Sequence, residues 1–169
     1  MLVMGIDPGI AITGIGLVKE TPGGDPQLVH YCVIDSTAVK DTSSRLLFLH
    51  QELEQLLAVH QPDEVAIEKL FFQKNAKTAM AVSEARGVIR LCVSQHGLPL
   101  TEYTPNEVKQ AVTSYGNADK KQVQEMIKVA LVLDKVPKPD DAADALAVAL
   151  CHLASSGYRR LLENADADY

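Results

Sequence analysis

Two spacings of apolar residues alternate along this chain, and each change of spacing marks the end of one element and the start of another. LVMGID, at 2–7, is apolar up to its last residue, as a strand buried on both faces reads. In IAITGIGLVKE the apolar Ile10, Ile12, Ile15 and Leu17 are interrupted by Gly14 and Gly16, which predicts a strand whose backbone something approaches closely. TPGGDP is a turn and QLVHYCVIDS a third strand, so the first three strands form an antiparallel meander. The spacing then lengthens. Leu46, Leu49, Leu53, Leu56 and Leu57 recur at three- and four-residue steps and predict a helix over about 43–60. DEVAIE is a short strand after Pro62. An Ala-rich stretch carrying Met80, Val88, Ile89 and Cys92 predicts a helix over about 75–95, stopped by Gly97. LPLTEYT is the fifth strand. TPNE follows, with Thr104 as N-cap, Pro105 at the first helical position and Glu107 completing a capping box. That helix ends near Gly116; others run over about 119–134 and 140–156, the last ending before Gly157.

The order β-β-β-α-β-α-β-α-α-α predicts an α/β fold: a five-stranded mixed sheet with helices on both faces, in one domain over 1–157. LLENADADY and the residues before it, 158–169, read as a flexible acidic tail. At 169 residues the chain is long enough for a full core. No apolar run reaches the roughly 18–20 residues of a membrane span, and MLVMGID has neither a basic segment nor a cleavage site, so no leader is expected. Cys32, Cys92 and Cys151 are odd in number and widely spaced, which suits reduced thiols in a cytoplasmic protein. The five histidines show no metal-ligand spacing.

Charge changes the picture. The net charge of −6 disfavours a nucleic-acid binder, but it is segregated: residues 69–138 hold 11 Lys/Arg against 6 Asp/Glu, and the remainder 5 against 16. Such a chain can build a basic face around an acidic site, or simply a solvated surface.

Four acids stand where acids are costly. Asp7 ends the first strand and Glu68 the fourth. Asp141 and Asp144 lie at i and i+3 near the start of the last helix, about 60° apart on one face. Each has an ordinary reading alone: Asp7 as a turn acceptor before Pro8-Gly9, Glu68 as an ion-pair partner of Lys69 or Lys74, the aspartates as first-turn acids. Together they fall at the carboxyl ends of two strands and the start of a helix, where open α/β sheets bind ligands. Charges about 4 Å apart repel by about 4 kcal/mol per pair at an effective dielectric of 20. Two hard divalent ions, Mg²⁺ by preference, would resolve that and imply in-line displacement at phosphorus. On this reading Asp7 is a ligand and the glycines leave room for a phosphate.

GIDPGIAITGIG, IEKLFFQKNAKTAMAVSEARGV, NEVKQAV, ADKKQVQ and DDAADALAVALCH, in this order from residue 2 to about 154, resemble the RuvC family of Holliday-junction resolvases. The resemblance implies an RNase H-like fold, a homodimer, and Mg²⁺-dependent endonuclease action by paired symmetric nicks on four-way DNA junctions in recombination and repair. Two Mg²⁺ per active site are implied, with Mn²⁺ able to substitute. The family's catalytic and metal-binding acids fall on Asp7, Glu68, Asp141 and Asp144; Asp140, at i, i+4 to Asp144, competes with Asp141. The loop KLFFQKN carries two of the three phenylalanines. The family's base-stacking aromatic falls on Phe71, with Phe72 beside it, and Lys74 and Asn75 would reach phosphates. Packing of either ring onto the helix is the ordinary alternative. Lys109 and Lys120 match lysines near the active site, with Lys121, Arg86, Lys77 and Lys138 as weaker backbone contacts. A RuvA–RuvB branch-migration complex is the implied partner, the bacterial cytoplasm and nucleoid the implied location, and a membrane none. The related RNA-processing YqgF-type nuclease and a catalytically silent junction-binding dimer are the competing readings.

Overall fold

The computed structural model describes residues 1–69 and 76–167, with only the backbone at 76–78 and 158–167. Strands β1 (Leu2–Asp7), β2 (Ile12–Glu20) and β3 (Pro26–Asp35) form the meander. Helix α1 (Thr42–His60) follows, then β4 (Glu64–Glu68), α2 (Ala76–Gln95) and β5 (Leu100–Tyr103). Three helices close the chain: α3 (Pro105–Thr113), α4 (Lys120–Ala130) and α5 (Asp140–Ala167). The sheet order is β3-β2-β1-β4-β5, with β1 antiparallel to β2 and parallel to β4, and β4 parallel to β5.

Side chains of a strand alternate between faces, and here the parity places the acids. On one face Met4, Ile6, Ile15, Leu17, Val65 and Ile67 pack against Leu49, Leu53 and Leu57 of α1 and Ile89 and Val93 of α2. Each such side chain contributes about 1.5–3 kcal/mol when fully buried. Val3, Val18 and Ala66 point the other way, against Ala143, Leu146 and Ala147 of α5. Asp7 shares the parity of Val3, and Glu68 that of Ala66, so both acids lie on the α5 face.

Glycines let α5 rest directly on that face. A Cβ on Gly5 would lie 2.1 Å from the Ala145 carbonyl oxygen, one on Gly14 1.9 Å from that of Asp141, and one on Gly16 2.7 Å from the Leu146 amide nitrogen. The expected close approach at Gly14 and Gly16 is therefore made by the last helix. Room for a phosphate is not what these glycines provide, because the chain's own backbone fills it. At Gly9 a Cβ would strike the Ile12 carbonyl oxygen at 2.1 Å.

Three helix ends depart from the expected ones. α3 stops at Thr113 because Ser114 turns left-handed (φ 58°), before Gly116 is reached. α4 stops at Ala130, two residues before left-handed Val132 (φ 52°). α5 does not end before Gly157 but continues to Ala167. Among the described residues nothing lies within 4 Å of where a Gly157 side chain would sit, and that glycine weakens the helix without interrupting it.

Candidate active site

Ile6 pairs with Ile67 in the parallel β1–β4 ladder, so Asp7 and Glu68 come one step later, side by side at the carboxyl ends. Asp7 also pairs with Gly14 of β2, and the Asp141 backbone sits on Gly14. The first turns of α5 are thereby brought beside Asp7. The turn after β1 is closed by other groups: the buried Thr13 hydroxyl donates to the Gly9 carbonyl (2.6 Å), and the Ser36 hydroxyl to that of Ile10 (2.7 Å). Among the described residues no hydrogen bond engages the Asp7 carboxylate, so the turn does not need it.

Electrostatics records the convergence. Burial above all, then the charges of Glu68, Asp144 and Asp141, push the Asp7 carboxyl up from 3.8 to about 7, with Lys120 opposing. Burial and Asp144 raise Glu68, while Arg86, Lys109 and Lys120 work the other way. Asp140 behaves differently. It is hydrogen-bonded to Lys138 at 2.6 Å, lies 3.5 Å from Lys120, and is held below the usual carboxylate range chiefly by the Lys138 bond. Asp141, and not Asp140, is among the charges acting on Asp7.

Beside the acids opens a cleft of about 200 Å³ lined by Glu68, Asp144, Lys109 and Lys120, with Val108, Val123, Pro105 and Ala147 as its apolar wall. The Lys120 ammonium lies 2.9 Å from Asp144. Of the other cations singled out in the sequence, Lys121 lines an adjoining groove with Tyr115 and Met126. Lys138 is spent on Asp140. Arg86 differs from the surface cation expected: it is only 8% exposed and ion-paired with Glu102, an arrangement that suits a structural role better than a backbone contact. Phe71, Phe72, Lys74 and Asn75, and the side chain of Lys77, lie outside the described residues.

Sequence inspection also passed over His152, which is fully buried. Its Nε2 is 2.8 Å from Glu64 Oε2 and its Nδ1 3.0 Å from the Tyr103 hydroxyl. The carboxylate accepts only, so the Nε2 that faces it carries a proton, and the ring bridges Glu64 and Tyr103. The bridge ties α5 to β4 and β5 below the acids. The cysteines are free thiols, as expected, and burial raises all three.

All four donors of the acid cluster are carboxylates, a set that suits hard divalent cations such as Mg²⁺. As they stand, no three acidic, His or Cys side chains among the described residues are gathered closely enough to hold an ion together. Asp144 is turned to Lys120 instead.

The profile of the family described as crossover junction endodeoxyribonuclease RuvC matches residues 3–152. The chain belongs to the RuvC family. The crossover junction endodeoxyribonuclease RuvC of Caldicellulosiruptor saccharolyticus is 52% identical to it over 92% of this chain and 94% of its own. That of Alkaliphilus metalliredigens is 50% identical over 96% and 99%. The RuvC structure from Thermus thermophilus superposes with a TM-score of 0.87 at 33% identity, covering 94% of this chain and 96% of that one. The same enzyme in complex with a Holliday junction substrate matches equally well. The yeast mitochondrial resolvase Ydc2, at 16% identity and a TM-score of 0.69, shares the fold. The RuvC relationship makes the sheet and its helices an RNase H-like fold.

Proposed function

We propose that this RuvC-family chain is a structure-selective endonuclease that resolves four-way DNA junctions by paired symmetric nicks, in homologous recombination and repair. The observation that carries this reading is the charge coupling of Asp7 to Glu68, Asp144 and Asp141, with Glu68 and Asp144 lining a cleft beside Lys109 and Lys120. A family member has been solved with a Holliday junction substrate, which supports the choice of DNA.

In this reading the four carboxylates hold two Mg²⁺ ions, or Mn²⁺ in their place, which when bound supply an activated water and stabilise the leaving oxygen. Lys120 exchanges Asp144 for a phosphate oxygen of the substrate. Lys109, on α3, meets the backbone from the other wall. Val108 and Val123 narrow the cleft and limit the water that reaches it. An isologous homodimer supplies two such sites for the two strands of a two-fold substrate. The outer face of α2, with exposed Met80 and Leu91 and the bare Gly87 between them, is the proposed contact. A RuvA–RuvB branch-migration complex is the partner the family implies, and the bacterial cytoplasm the setting. Among the described residues no helix is long and apolar enough to cross a membrane.

The test is Mg²⁺-dependent cleavage of a mobile four-way junction beside linear duplex and structured RNA, with Asp144→Asn as control. Paired symmetric nicks on the junction alone, absent in the variant, are expected. Cleavage of RNA with the junction untouched would favour an RNA-processing nuclease, and tight binding without cutting a silent binding dimer.

The lysines and the Phe-Phe pair separate in a salt titration. Lys109→Ala is expected to weaken junction binding and reduce the slope of log K against log salt by about 1. Phe71→Ala is expected to slow cleavage and leave that slope unchanged, since stacking releases no counterions. An unchanged cleavage rate in Phe71→Ala would remove stacking from the mechanism.

A further inference from the structure

Arg86 is a buried cation on α2, on the opposite side of the sheet from α5, and the proposed chemistry makes no use of it. Its Nη1 donates to the backbone carbonyl of Glu68. Its Nη2 lies 3.1 Å from Glu102 Oε1 on β5, and the same carboxylate oxygen accepts from Nη1 of Arg90. Glu102 stands opposite Ile67 in the β4–β5 ladder, immediately before the pair Glu68–Tyr103. The final rung of that ladder is the Lys69 amide donating to the Tyr103 carbonyl at 2.7 Å. The guanidinium therefore spans the last residue of β4 and its neighbour on β5, just where the strand gives out.

We propose that Arg86 is a positioning residue for Glu68: its planar fork fixes the carbonyl of Glu68 against Glu102, and so sets the direction in which the Glu68 carboxylate enters the acid cluster. Glu68 is the acid most in need of such a hold. Asp7 is followed by a turn tied by Thr13 and Ser36, and Asp141 and Asp144 belong to a helix seated on glycine. Glu68 ends its strand, and among the described residues no ion pair holds its carboxylate. Two donors in one plane are needed to reach a carbonyl and a carboxylate together, a geometry that the single ammonium of lysine does not reproduce. The guanidinium also stays charged when buried, and places one permanent positive charge behind four carboxylates.

The inference rests on the reading of Glu68 as a cation ligand, and its test is arranged so that the two can fail separately. Mg²⁺ is titrated into the full-length protein without DNA, following the rise in melting temperature, for the wild type, Arg86→Lys, Arg86→Gln and Glu102→Gln. Junction cleavage against Mg²⁺ and metal-free junction binding are measured on the same proteins. Arg86→Gln is expected to raise the half-saturating Mg²⁺ at least fivefold and to lower the maximal cleavage rate by tenfold or more. Arg86→Lys, which keeps the charge but not the fork, should give a smaller shift in the same direction, and Glu102→Gln the smallest. Metal-free junction binding should stay within twofold throughout.

If Arg86→Lys and Arg86→Gln lower the melting temperature and leave the Mg²⁺ midpoint where it was, Arg86 is a structural ion pair only and the proposal is wrong. Loss of metal-free junction binding would make it a DNA contact and is equally fatal. Should Arg86→Gln fail to fold, Arg86→Lys and Glu102→Gln decide by the same midpoint. A wild type that binds Mg²⁺ but cuts no junction would overturn the proposed function and leave the Arg86 test standing.

Discussion

Replacing Asp7 by Asn is expected to raise the melting temperature of the metal-free protein by several degrees at pH 8 and to abolish junction cleavage. The carboxyl sits at about 7 in the folded chain against an ordinary 3.8. Between those values the folded state holds a proton that the unfolded state has released. Stability from this group therefore falls as pH rises from about 4 to about 7, and the cost is complete above 7. At 1.36 kcal/mol per unit the upper bound is about 4 kcal/mol, and relaxation around the cluster brings a realistic gain to about 1–3 kcal/mol. For a chain of this size each kcal/mol moves the melting temperature by about 2–4 °C. The gain should shrink by more than half at pH 5. Mg²⁺ should stabilise the wild type through the same charges and stabilise Asp7→Asn far less. A variant that melts lower and still cuts would return Asp7 to a turn residue.

Gly14→Ala is expected to do the reverse: to lower the melting temperature markedly and cut activity with it. Its Cβ would lie 1.9 Å from a backbone oxygen, that of Asp141, and 2.5 Å from the carbonyl carbon. No side-chain rotation relieves a clash with backbone, so α5 must lift where it carries Asp141 and Asp144. Overpacking of this kind costs about 1–3 kcal/mol or more, and here the strain falls on two of the four acids. The same substitution at Gly157, within α5 and with no described atom within 4 Å of the added carbon, is expected to stabilise by roughly 0.5–1 kcal/mol. Thermal melts and cleavage rates of the two variants, measured together, check the contrast. A Gly14→Ala protein that melts and cuts like wild type would mean that α5 does not bear on the sheet there.

Most of this architecture was legible because its two apolar spacings are strong. The leucines of α1 and the apolar run of β1 leave little choice of element, and Thr104, Pro105 and Glu107 mark the start of α3 by capping chemistry alone. The acids were legible for a related reason: a carboxylate that ends a buried strand is expensive, and Asp7 and Glu68 do so on adjacent strands. Long-range contact was not legible. Arg86 reads in the sequence as one more surface cation, and only the fold brings it behind Glu68. His152 reads as an ordinary helix residue until Glu64 and Tyr103 are placed against it. Gly14 and Gly16 announced a close neighbour without saying which, and a phosphate was the wrong guess because nothing local distinguishes it from a helix. Between Asp140 and Asp141 the fold also adds what spacing could not: the Asp141 backbone is seated over Gly14 and its charge acts on Asp7, while Asp140 is bonded to Lys138.

The seating of α5 on β1 and β2 joins the last element of the domain to the first. During synthesis β1 and β4 leave the ribosome long before Asp141 and Asp144 exist. Until then the glycine-bearing face of the sheet has no helix to cover it, and half the acids are missing. On the proposed reading of the four acids, a chain that ends before residue 141 lacks two of the ligands, and the capacity to cut DNA arrives only with the final helix.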